Sequence, residues 1–431
     1  MHQGNFDLTL DQITKIEGHA SLHLKVENGV ITDCRFSIPE YKRFYTQAVR
    51  NKPITAIPQM VARICGTCSN AHLLCSIKAI EASQGVIPSE QTKLLRRLLV
   101  NGLMIRDHGL HLYVFVLPDL YNRDSLLVFD ENNPEEHALL HDAFAVKEVG
   151  NQLAIWSGGR SVHAPTPTIG GFLKLPLQGE QDKLIAQLKS IRQRVVKLIT
   201  IFQKCDFSQP EDVSFSALQN TNYDFLDGGI ITADGQRIID AEYANHLKHI
   251  VIPYSQASGY TFQGGLFMVG ALARVNLSKQ YLNPITREDA AQALALFPSN
   301  NIFHNNLAQA IEILHCIDDS IAILGKLYIK NEKPIPYQLK AGTGVGVVEA
   351  PRGTLYHRYE VDEKGIVTSG RSIVPTGQNQ IVIEKSLLHY AEKHLDLPEA
   401  QLSLDFEKLI RAYDPCMSCA SHFLKLKIKR I

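Results

Sequence analysis

The sequence predicts an α+β fold that is predominantly helical, with a core bundle of long helices and small antiparallel sheets in its N-terminal and C-terminal parts. Two observations predict the sheets: residues 6–38 and 346–385 alternate apolar and polar side chains with a period of two. A third predicts the bundle: long stretches between them repeat apolar side chains every three or four positions. We expect one domain over 1–431, divided into a β region (1–60), a helical bundle (61–330) and a C-terminal β region with a second cysteine motif (340–431).

The elements follow from local signals. Asn28-Gly29 predicts a two-residue hairpin between two strand patterns of the N-terminal region. Ser89 is expected to cap a long helix. Residues 206–300 indicate short strands, turns and loops with no recognisable chemistry. Helices are expected over 71–83, 89–117, 136–157, 179–204, 303–327 and 385–396.

Composition excludes several classes of protein. Apolar residues make up 45% of the chain, charged residues 20%, and the formal net charge is zero, so no electrostatic footprint for nucleic acid is visible. Eight cysteines in 431 residues are too few for a disulfide scaffold. No apolar run is long enough to span a membrane, and the N-terminus does not resemble a signal peptide. We therefore expect a cytoplasmic protein, which reaches a membrane or another compartment only through a partner.

Two cysteine pairs carry the strongest chemical signal. Cys65 and Cys68 are spaced Cys-x-x-Cys with His72 four residues on, and Cys416 and Cys419 repeat the spacing close to the C-terminus. Such pairs hold a structural zinc, act as a redox dithiol, or ligate a catalytic transition metal. The pairs lie far apart in the chain, whereas zinc ribbons place theirs about 15–20 residues apart. This separation favours a buried centre enclosed by the folded body.

A second polar signal lies within the helix expected over 89–117. Asp107, His108 and His111 interrupt its otherwise apolar course. One buried polar residue on a helix is usually an ordinary, hydrogen-bonded core residue. Three so close together indicate a helix that faces a polar site.

The motifs around these residues resemble those of a known family. Arg63-x-Cys-Gly-x-Cys-x-x-x-His72 and Asp414-Pro-Cys-x-x-Cys-x-x-His422 resemble the two signatures of the large, catalytic subunit of nickel–iron hydrogenases. Further similar stretches run through the chain, and with the two signatures the resemblance spans about residues 8–422. These stretches are Thr14–His19, Gly158-Gly159-Arg160 with His163, Glu349–Gly353 and Val374-Pro375-Thr376.

The resemblance implies a nickel–iron centre held by the four cysteines. Cys65 and Cys416 would be terminal ligands of nickel, and Cys68 and Cys419 would bridge nickel to an iron that carries carbon monoxide and two cyanides. The implied reaction is the reversible heterolytic cleavage of dihydrogen to a proton and a hydride. The short chain and the Asp-Pro-Cys-x-Ser-Cys form are most similar to the cytoplasmic branches of the family, whose partners reduce nicotinamide, deazaflavin or disulfide acceptors.

The resemblance also assigns roles to residues outside the cysteines. Glu17 would take a proton from Cys416, and Arg352 would act as a fixed cation held by Asp107 and Asp414. Four residues, Ala350, Pro351, Pro375 and Thr376, would wall the iron, with Thr376 donating to a cyanide. His72 would contact a bridging thiolate. His108 and His111 are expected to be structural.

One departure from the family pattern concerns a second metal site. The family carries a glutamate before the first cysteine pair that binds magnesium together with the C-terminal histidine. Here Thr46 stands in that place, with Glu40 out of register, so magnesium is not predicted although His422 remains a candidate ligand. We expect a maturation endopeptidase to cut after His422.

The implied partners follow from what the chain lacks. It has no further cysteine cluster for an iron–sulfur chain and no dinucleotide-binding motif. We therefore expect an iron–sulfur small subunit, further electron-transfer subunits and maturation proteins. The alternatives are a hydrogen sensor, a non-catalytic zinc-binding scaffold, or a structural subunit related to respiratory complex I, a relative that has lost the thiolates.

Overall fold

Helices dominate the computed structural model, which describes residues 5–39 and 45–421 and confirms the predicted fold class. Five helices, α3, α4, α6, α7 and α12, whose bounds are given below, pack together as the helical core. The α-helices are α1 (Tyr45–Ala48), α2 (Ile57–Val61), α3 (Ser69–Gln84), α4 (Glu90–Gly109), α5 (Leu117–Leu120), α6 (Pro134–Gly158), α7 (Gln181–Gln203), α8 (Tyr243–His246), α9 (Ala271–Ser278), α10 (Pro284–Asp289), α11 (Ala291–Leu294), α12 (His304–Leu324), α13 (Pro375–His394), α14 (Glu399–Ala412) and α15 (Met417–Ala420).

The strands form small sheets. Three antiparallel strands make the N-terminal sheet in the order β1-β2-β3, and three make the C-terminal sheet in the order β12-β13-β14. The strands are β1 (Phe6–Leu10), β2 (Ser21–Glu27), β3 (Val30–Ser37), β4 (Pro167–Thr168), β5 (Gly171–Phe172), β6 (Ser214–Gln219), β7 (Gly229–Thr232), β8 (Arg237–Ile238), β9 (Leu247–Val251), β10 (Ser258–Phe262), β11 (Phe267–Met268), β12 (Gly342–Ala350), β13 (Gly353–Val361) and β14 (Val367–Ile373).

The N-terminal hairpin agrees with the prediction. Asn28 and Gly29 connect β2 to β3, and both adopt the left-handed backbone conformation that a two-residue hairpin of this twist requires, with φ of 52° and 76°. Leu22, Leu24 and Val26 are buried on one face of β2. The period-two pattern in the sequence therefore reports a sheet with one buried face.

The helix predicted over 89–117 is broken by a change of helix type. Ser89 caps α4 by accepting a hydrogen bond from the Thr92 N–H at 3.1 Å, as expected. After Gly109 the backbone widens into a π-helix over Leu110–Val116 before α5. π-helical turns are rare and concentrate at functional sites. Here the change follows immediately after Asp107 and His108, the polar residues that interrupt the apolar pattern.

The middle region contains the expected strands together with helices that were not predicted. The strands β11, β6, β7 and β8 form one mixed sheet, and β9 pairs with β10. The short helices α9, α10 and α11 follow, and α9 carries the buried residue Arg274. No recognisable chemistry was predicted for residues 206–300, and this prediction passed over Arg274, a charged side chain that is only 2% exposed.

The C-terminal prediction is partly wrong. The strand pattern was expected to reach residue 385, but β14 ends at Ile373 and α13 already begins at Pro375. Proline fits the first turn of a helix. Residues 375–380 are all buried although most of them are polar, so the sequence shows no helical alternation of polar and apolar residues there. Helix α14 was overlooked although Leu402, Phe406 and Leu409 have helical spacing.

A large cluster of buried apolar side chains joins the two ends of the chain. It includes Ile13 near the N-terminus, Ala420 near the end of the described residues, and all four motif cysteines. A smaller cluster lies around β6–β11 and includes Ile230 and Tyr260. No helix within 5–39 and 45–421 combines the length and apolar character needed to cross a bilayer.

Candidate metal centre

The two cysteine pairs meet in the interior. The Sγ atoms of Cys65 and Cys416 lie 3.4 Å apart, those of Cys68 and Cys419 3.3 Å apart, and those of Cys416 and Cys419 3.0 Å apart. All four sulfur atoms lie within 4.8 Å of one another, and each cysteine is at most 4% exposed. Residues separated by 351 positions in sequence thus form one compact group of sulfur ligands.

Each pair sits at the start of a helix, as the sequence indicated for the first pair. Cys68 is the residue before α3, and Cys416 is the residue before α15. The Cys68 N–H donates to Cys65 Sγ at 3.4 Å, so the turn that carries the first cysteine pair is closed by a hydrogen bond to the sulfur of Cys65. This geometry aims both sulfur atoms of a pair in one direction.

Burial and mutual hydrogen bonding distinguish the thiols. A hydrogen bond from Cys416, with others from Cys419 and Cys68, lowers the pKa of Cys65 well below its ordinary value, although burial opposes this. Burial raises the pKa of Cys416. The pKa values of these two thiols, whose sulfur atoms lie 3.4 Å apart, are thus shifted in opposite directions.

Glu17 lies directly against the second pair. Its backbone forms a parallel bridge with Cys416, in which the Met417 N–H donates to the Glu17 carbonyl at 3.0 Å. Its Oε2 accepts from the Cys416 thiol at 2.9 Å and from the Ser418 N–H at 3.2 Å. Burial raises the pKa of Glu17, and charge on Cys65 raises it further. The half-buried carboxyl is thus placed to exchange a proton with a sulfur atom.

Arg352 is held beside the cluster by two carboxylates. Its Nη1 donates to Asp107 at 2.9 Å and its Nη2 pairs with Asp414 at 2.9 Å, and all three side chains are buried. Burial opposes the charge of Arg352, but Asp414 and Asp107 outweigh it and raise its pKa. Charge on Cys416 and Cys68 also acts on this guanidinium. The predicted pairing of Arg352 with Asp107 and Asp414 is therefore present.

The loop before Arg352 is anchored by a residue that the sequence analysis missed. Arg274 donates to the carbonyl oxygens of Ala350 at 3.1 Å and Pro351 at 3.0 Å. The same guanidinium pairs with Glu312 at 2.6 Å and Glu349 at 2.8 Å. Ala350 and Pro351 therefore lie on a loop that a buried ion network fixes.

The second predicted loop also reaches the cysteines. Thr376 follows Pro375 at the start of α13. Its Oγ1 accepts a hydrogen bond from the Cys416 N–H at 2.9 Å. This contact fixes the backbone of the second cysteine pair. The hydroxyl proton of Thr376 can still be donated to another group, because a hydroxyl both accepts and donates.

His72 contacts the cluster from α3. Its Nε2 lies 3.6 Å from Cys419 Sγ, and its Nδ1 lies 3.1 Å from Nε2 of His357. Burial lowers the pKa of His72 to about 4. His72 therefore contacts Cys419, one of the two cysteines that were expected to bridge the metals, and His357 extends this contact.

Polar residues of the central helices complete the surroundings. His111 bonds to Gln309 at 2.6 Å and to the Arg411 carbonyl at 2.8 Å, while Gln309 donates to Asp414 at 2.9 Å. His108 bonds to Glu312 at 2.9 Å. Both histidines thus have structural contacts. The sequence signal that was missed is the spacing of Asn305, Gln309 and Glu312 along one face of α12.

Arg106 is another residue that the sequence analysis missed. It donates to the carbonyl oxygens of Thr67 and Ser161, the latter at 2.5 Å, and so joins the first cysteine turn to the loop that follows α6. Asn70 also donates to the Ser161 carbonyl, at 2.9 Å. The signal was available, since Arg106 precedes Asp107 in the polar interruption of its helix.

The candidate second metal site cannot be assembled from the described part of the chain. Glu40 and His422 both lie outside the described residues. Thr46, which stands in place of the expected glutamate, lies in α1. Magnesium remains unpredicted.

The donor set fits a thiophilic metal. Four buried sulfur atoms favour zinc, iron or nickel over magnesium or calcium, which prefer oxygen ligands. A structural zinc site needs only its four ligands. Here a carboxyl that contacts Cys416 Sγ at 2.9 Å and a guanidinium held by two carboxylates also lie beside the sulfur atoms, an arrangement suited to chemistry at the metal.

Known proteins resemble this chain over nearly its whole length. The family model described as nickel-dependent hydrogenase matches residues 45–199 and 241–422. The alpha subunit of sulfhydrogenase 2 from Pyrococcus furiosus is 30% identical over 97% of this chain and 100% of its own. The beta subunit of the NAD-reducing hydrogenase HoxS from Cupriavidus necator is 28% identical, over 97% and 95%. A solved NAD+-reducing NiFe hydrogenase in its H2-reduced state matches with a TM-score of 0.85 at 25% identity, over 97% and 99% of the two chains.

Proposed function

This chain belongs to the family of nickel-dependent hydrogenases, and we propose that it is the catalytic large subunit of a cytoplasmic nickel–iron hydrogenase. The proposal is carried above all by the four buried sulfur atoms within 4.8 Å of one another, with Glu17 and Arg352 beside them. A structural subunit of the complex I type needs no such sulfur cluster. A hydrogen sensor would share the centre, and turnover rate distinguishes the two.

The four cysteines would hold the metals. We propose that Cys65 and Cys416 are terminal ligands of nickel, and that Cys68 and Cys419 bridge nickel to an iron that bears carbon monoxide and two cyanides. When bound, this centre supplies the reversible heterolytic cleavage of H2. The ligand set is consistent with it, because soft thiolates suit both metals.

Glu17 would move the proton. Its Oε2 lies 2.9 Å from Cys416 Sγ, within the distance at which a general base accepts a proton directly. Because the pKa of Glu17 is raised toward neutral pH, the carboxyl can both take up and release a proton. Because Glu17 is only half-buried, it can pass a proton on toward the solvent.

Arg352 would supply a permanent positive charge next to the cysteines. Its two carboxylate partners fix the guanidinium, so no reorganisation is needed when charge develops during the reaction. The walls formed by Ala350-Pro351 and Pro375-Thr376 would surround the iron ligands, with Thr376 donating to a cyanide. His72 would donate to the bridging sulfur of Cys419.

Electrons would leave through partner chains. The four remaining cysteines do not join a second cluster among the residues that the structure describes. An iron–sulfur small subunit would therefore receive the electrons, and further subunits would pass them to the final acceptor. Maturation proteins would load the metals, and an endopeptidase would cut after His422.

Purification from the native host tests this proposal. We expect nickel and iron in the isolated protein, infrared bands of metal-bound carbon monoxide and cyanide, an iron–sulfur subunit in the same complex, and H2-dependent reduction of an artificial electron acceptor. Zinc in place of nickel and iron would refute it. Intact-mass analysis of the active form adds a separate test, since a large subunit that still ends at Ile431 would rule out the proposed cleavage.

A further inference from the structure

A row of three buried side chains leads away from Cys419, on a side of the cluster that Glu17 and Arg352 do not occupy. Nε2 of His72 lies 3.6 Å from Cys419 Sγ, and Nδ1 of His72 lies 3.1 Å from Nε2 of His357. Nδ1 of His357 lies 2.8 Å from the hydroxyl of Tyr359. Each of the three side chains is 1% exposed.

The fold explains why these side chains align. His357 and Tyr359 are two residues apart on β13, so both point to the same face of the strand. That face packs against α3, where Cys75 Sγ donates to the Leu355 carbonyl at 3.4 Å. His72 lies one turn earlier on α3, because Cys75 follows it by three residues. Strand and helix together therefore fix the row.

The groups at the two ends of the row determine which atom donates in each of its hydrogen bonds. A sulfur that ligates a metal accepts hydrogen bonds, so Nε2 of His72 carries the proton. Nδ1 of His72 then accepts from Nε2–H of His357, and Nδ1 of His357 accepts from the Tyr359 hydroxyl. In this order every ring nitrogen has a partner, and neither buried ring needs to carry a charge. Burial also raises the pKa of Tyr359, which keeps its hydroxyl proton in place.

We propose that Tyr359 is a positioning residue of the metal centre: its hydroxyl fixes the tautomers of His357 and His72 and so holds an N–H group on Cys419. The inference rests on the proposed function, in which Cys419 bridges to iron. A hydrogen bond to that sulfur withdraws electron density from the iron and weakens its back-donation to carbon monoxide. The row therefore tunes the electronic state of the centre without touching substrate.

Infrared spectroscopy of the purified complex tests this. In Tyr359→Phe we expect the carbon monoxide band to move to lower wavenumber, with nickel and iron content unchanged. Tyr390→Phe is the matched control, because it also removes one hydroxyl, which donates to Asp405 at 2.9 Å. Tyr390 lies 14 residues beyond Thr376 on α13, about 21 Å along the helix, so its band should not move.

The outcomes separate the two proposals. Absence of the bands and metals from the wild-type complex would refute the proposed function itself. Bands present in the wild type and unmoved in Tyr359→Phe would overturn the role of Tyr359 alone. A second measurement reports the tautomers directly: 15N NMR of the histidine-labelled complex, with its metals bound, should show Nε2–H tautomers for His72 and His357. Nδ1–H tautomers in the wild-type complex would also overturn the inference.

Discussion

At the residue scale, a substitution of Glu17 can remove its ability to take up a proton while keeping its hydrogen bonds. Glutamine at this position can still accept from the Cys416 thiol and the Ser418 N–H through its amide oxygen, but it cannot take up a proton. In Glu17→Gln we therefore expect H2 oxidation to fall by about 100-fold or more. Assays with an artificial electron acceptor measure this, and metal analysis should find nickel and iron at wild-type levels.

A matched control for Glu17→Gln is Glu384→Gln. Glu384 is also a half-buried carboxylate whose pKa burial raises, and it accepts from the Tyr254 hydroxyl at 2.7 Å and the Phe36 N–H at 2.9 Å. We expect this variant to retain wild-type activity. Unchanged activity in Glu17→Gln would remove Glu17 from the proton path.

Substitution of Arg352 tests whether a positive charge alone is sufficient for H2 oxidation, or whether the fixed guanidinium is needed. Lysine keeps the positive charge but is a point charge without the planar fork that reaches Asp107 and Asp414 together. We expect Arg352→Lys to lower the rate of H2 oxidation by about 100-fold, with the infrared bands still present. Arg192→Lys is the control, since Arg192 on α7 also bonds to two carboxylates, Asp318 and Asp289. Equal losses of activity in Arg352→Lys and Arg192→Lys would contradict a specific role of Arg352 in H2 oxidation.

The residues proposed for the inner site came from motifs that resemble those of the hydrogenase family, and the structure brings the four cysteines, Glu17 and Arg352 into one region. The cysteine spacing predicted one sulfur cluster, and Arg352 was correctly paired with Asp107 and Asp414. Arg274 and His357 could not be predicted in this way. A lone arginine in a short helix, or a histidine in an alternating strand, has no local pattern that reveals a partner about 40 to 290 positions away.

At the element scale, the approach of β12 to α3 places the loop of Arg352 beside the first cysteine pair. Gly344 and Gly346 on β12 lie against the backbone of α3. A Cβ atom on Gly346 would lie 2.2 Å from the Cys75 carbonyl oxygen, so even a methyl group forces the two elements apart. Residue size at these positions thus controls the distance between two parts of the site.

We expect Gly346→Ala to destabilise the protein by about 3 kcal/mol, near the upper end of the usual overpacking range, and to reduce nickel content. Thermal unfolding and metal analysis measure the two effects. Gly265→Ala is the control, because the nearest atom to its added Cβ would be the Phe262 carbonyl oxygen at 3.7 Å. Wild-type stability in Gly346→Ala would show that the two elements can separate at little cost.

Local sequence signals account for the elements that were predicted, although α14 was overlooked despite its exposed face. The alternation of β2 and the cap of α4 gave correct predictions, because each produces a local contrast between polar and apolar residues. The start of α13 has no such contrast, because most of residues 376–380 are polar although all of them are buried. The π-helix at Leu110–Val116 could not be predicted either, because such helices are rare and local propensity does not distinguish one from the α-helix that precedes it.

At the scale of the whole molecule, a buried ion network connects the middle of the chain to the site. Arg274 on α9 joins Glu312 on α12 to Glu349 on β12, and Tyr223 donates to Glu312 at 2.8 Å. Burial opposes ionisation of Glu312, but Arg274 outweighs it and lowers the pKa of Glu312 to about 2. The ionised carboxylate therefore stabilises the folded state over most of the pH range.

Acid unfolding tests this network. The pKa of Glu312 is lower in the folded state than its ordinary value of 4.5, so its stabilisation is present above that value and lost as the pH falls toward 2. We expect Glu312→Gln to lower the unfolding free energy by about 3–5 kcal/mol at pH 7, and the difference from wild type to shrink on acidification. Glu360→Gln, from an exposed pair with Arg358, should change it by less than about 1 kcal/mol. A difference that grows in acid would contradict this assignment.

The metal centre should also fasten the two ends of the chain together, since its ligands are separated by 351 positions. A metal that binds only the folded state adds stability according to its affinity and concentration. Protein made in nickel-depleted medium should therefore unfold at a lower temperature than metal-loaded protein. Cys416→Ser should abolish this difference. Cys75→Ala should retain it, because Cys75 is buried against the carbonyl oxygens of Gly346 and Leu355 and is not a ligand. Equal unfolding temperatures for loaded and metal-free wild type would mean that packing alone holds the C-terminal cysteine pair in place.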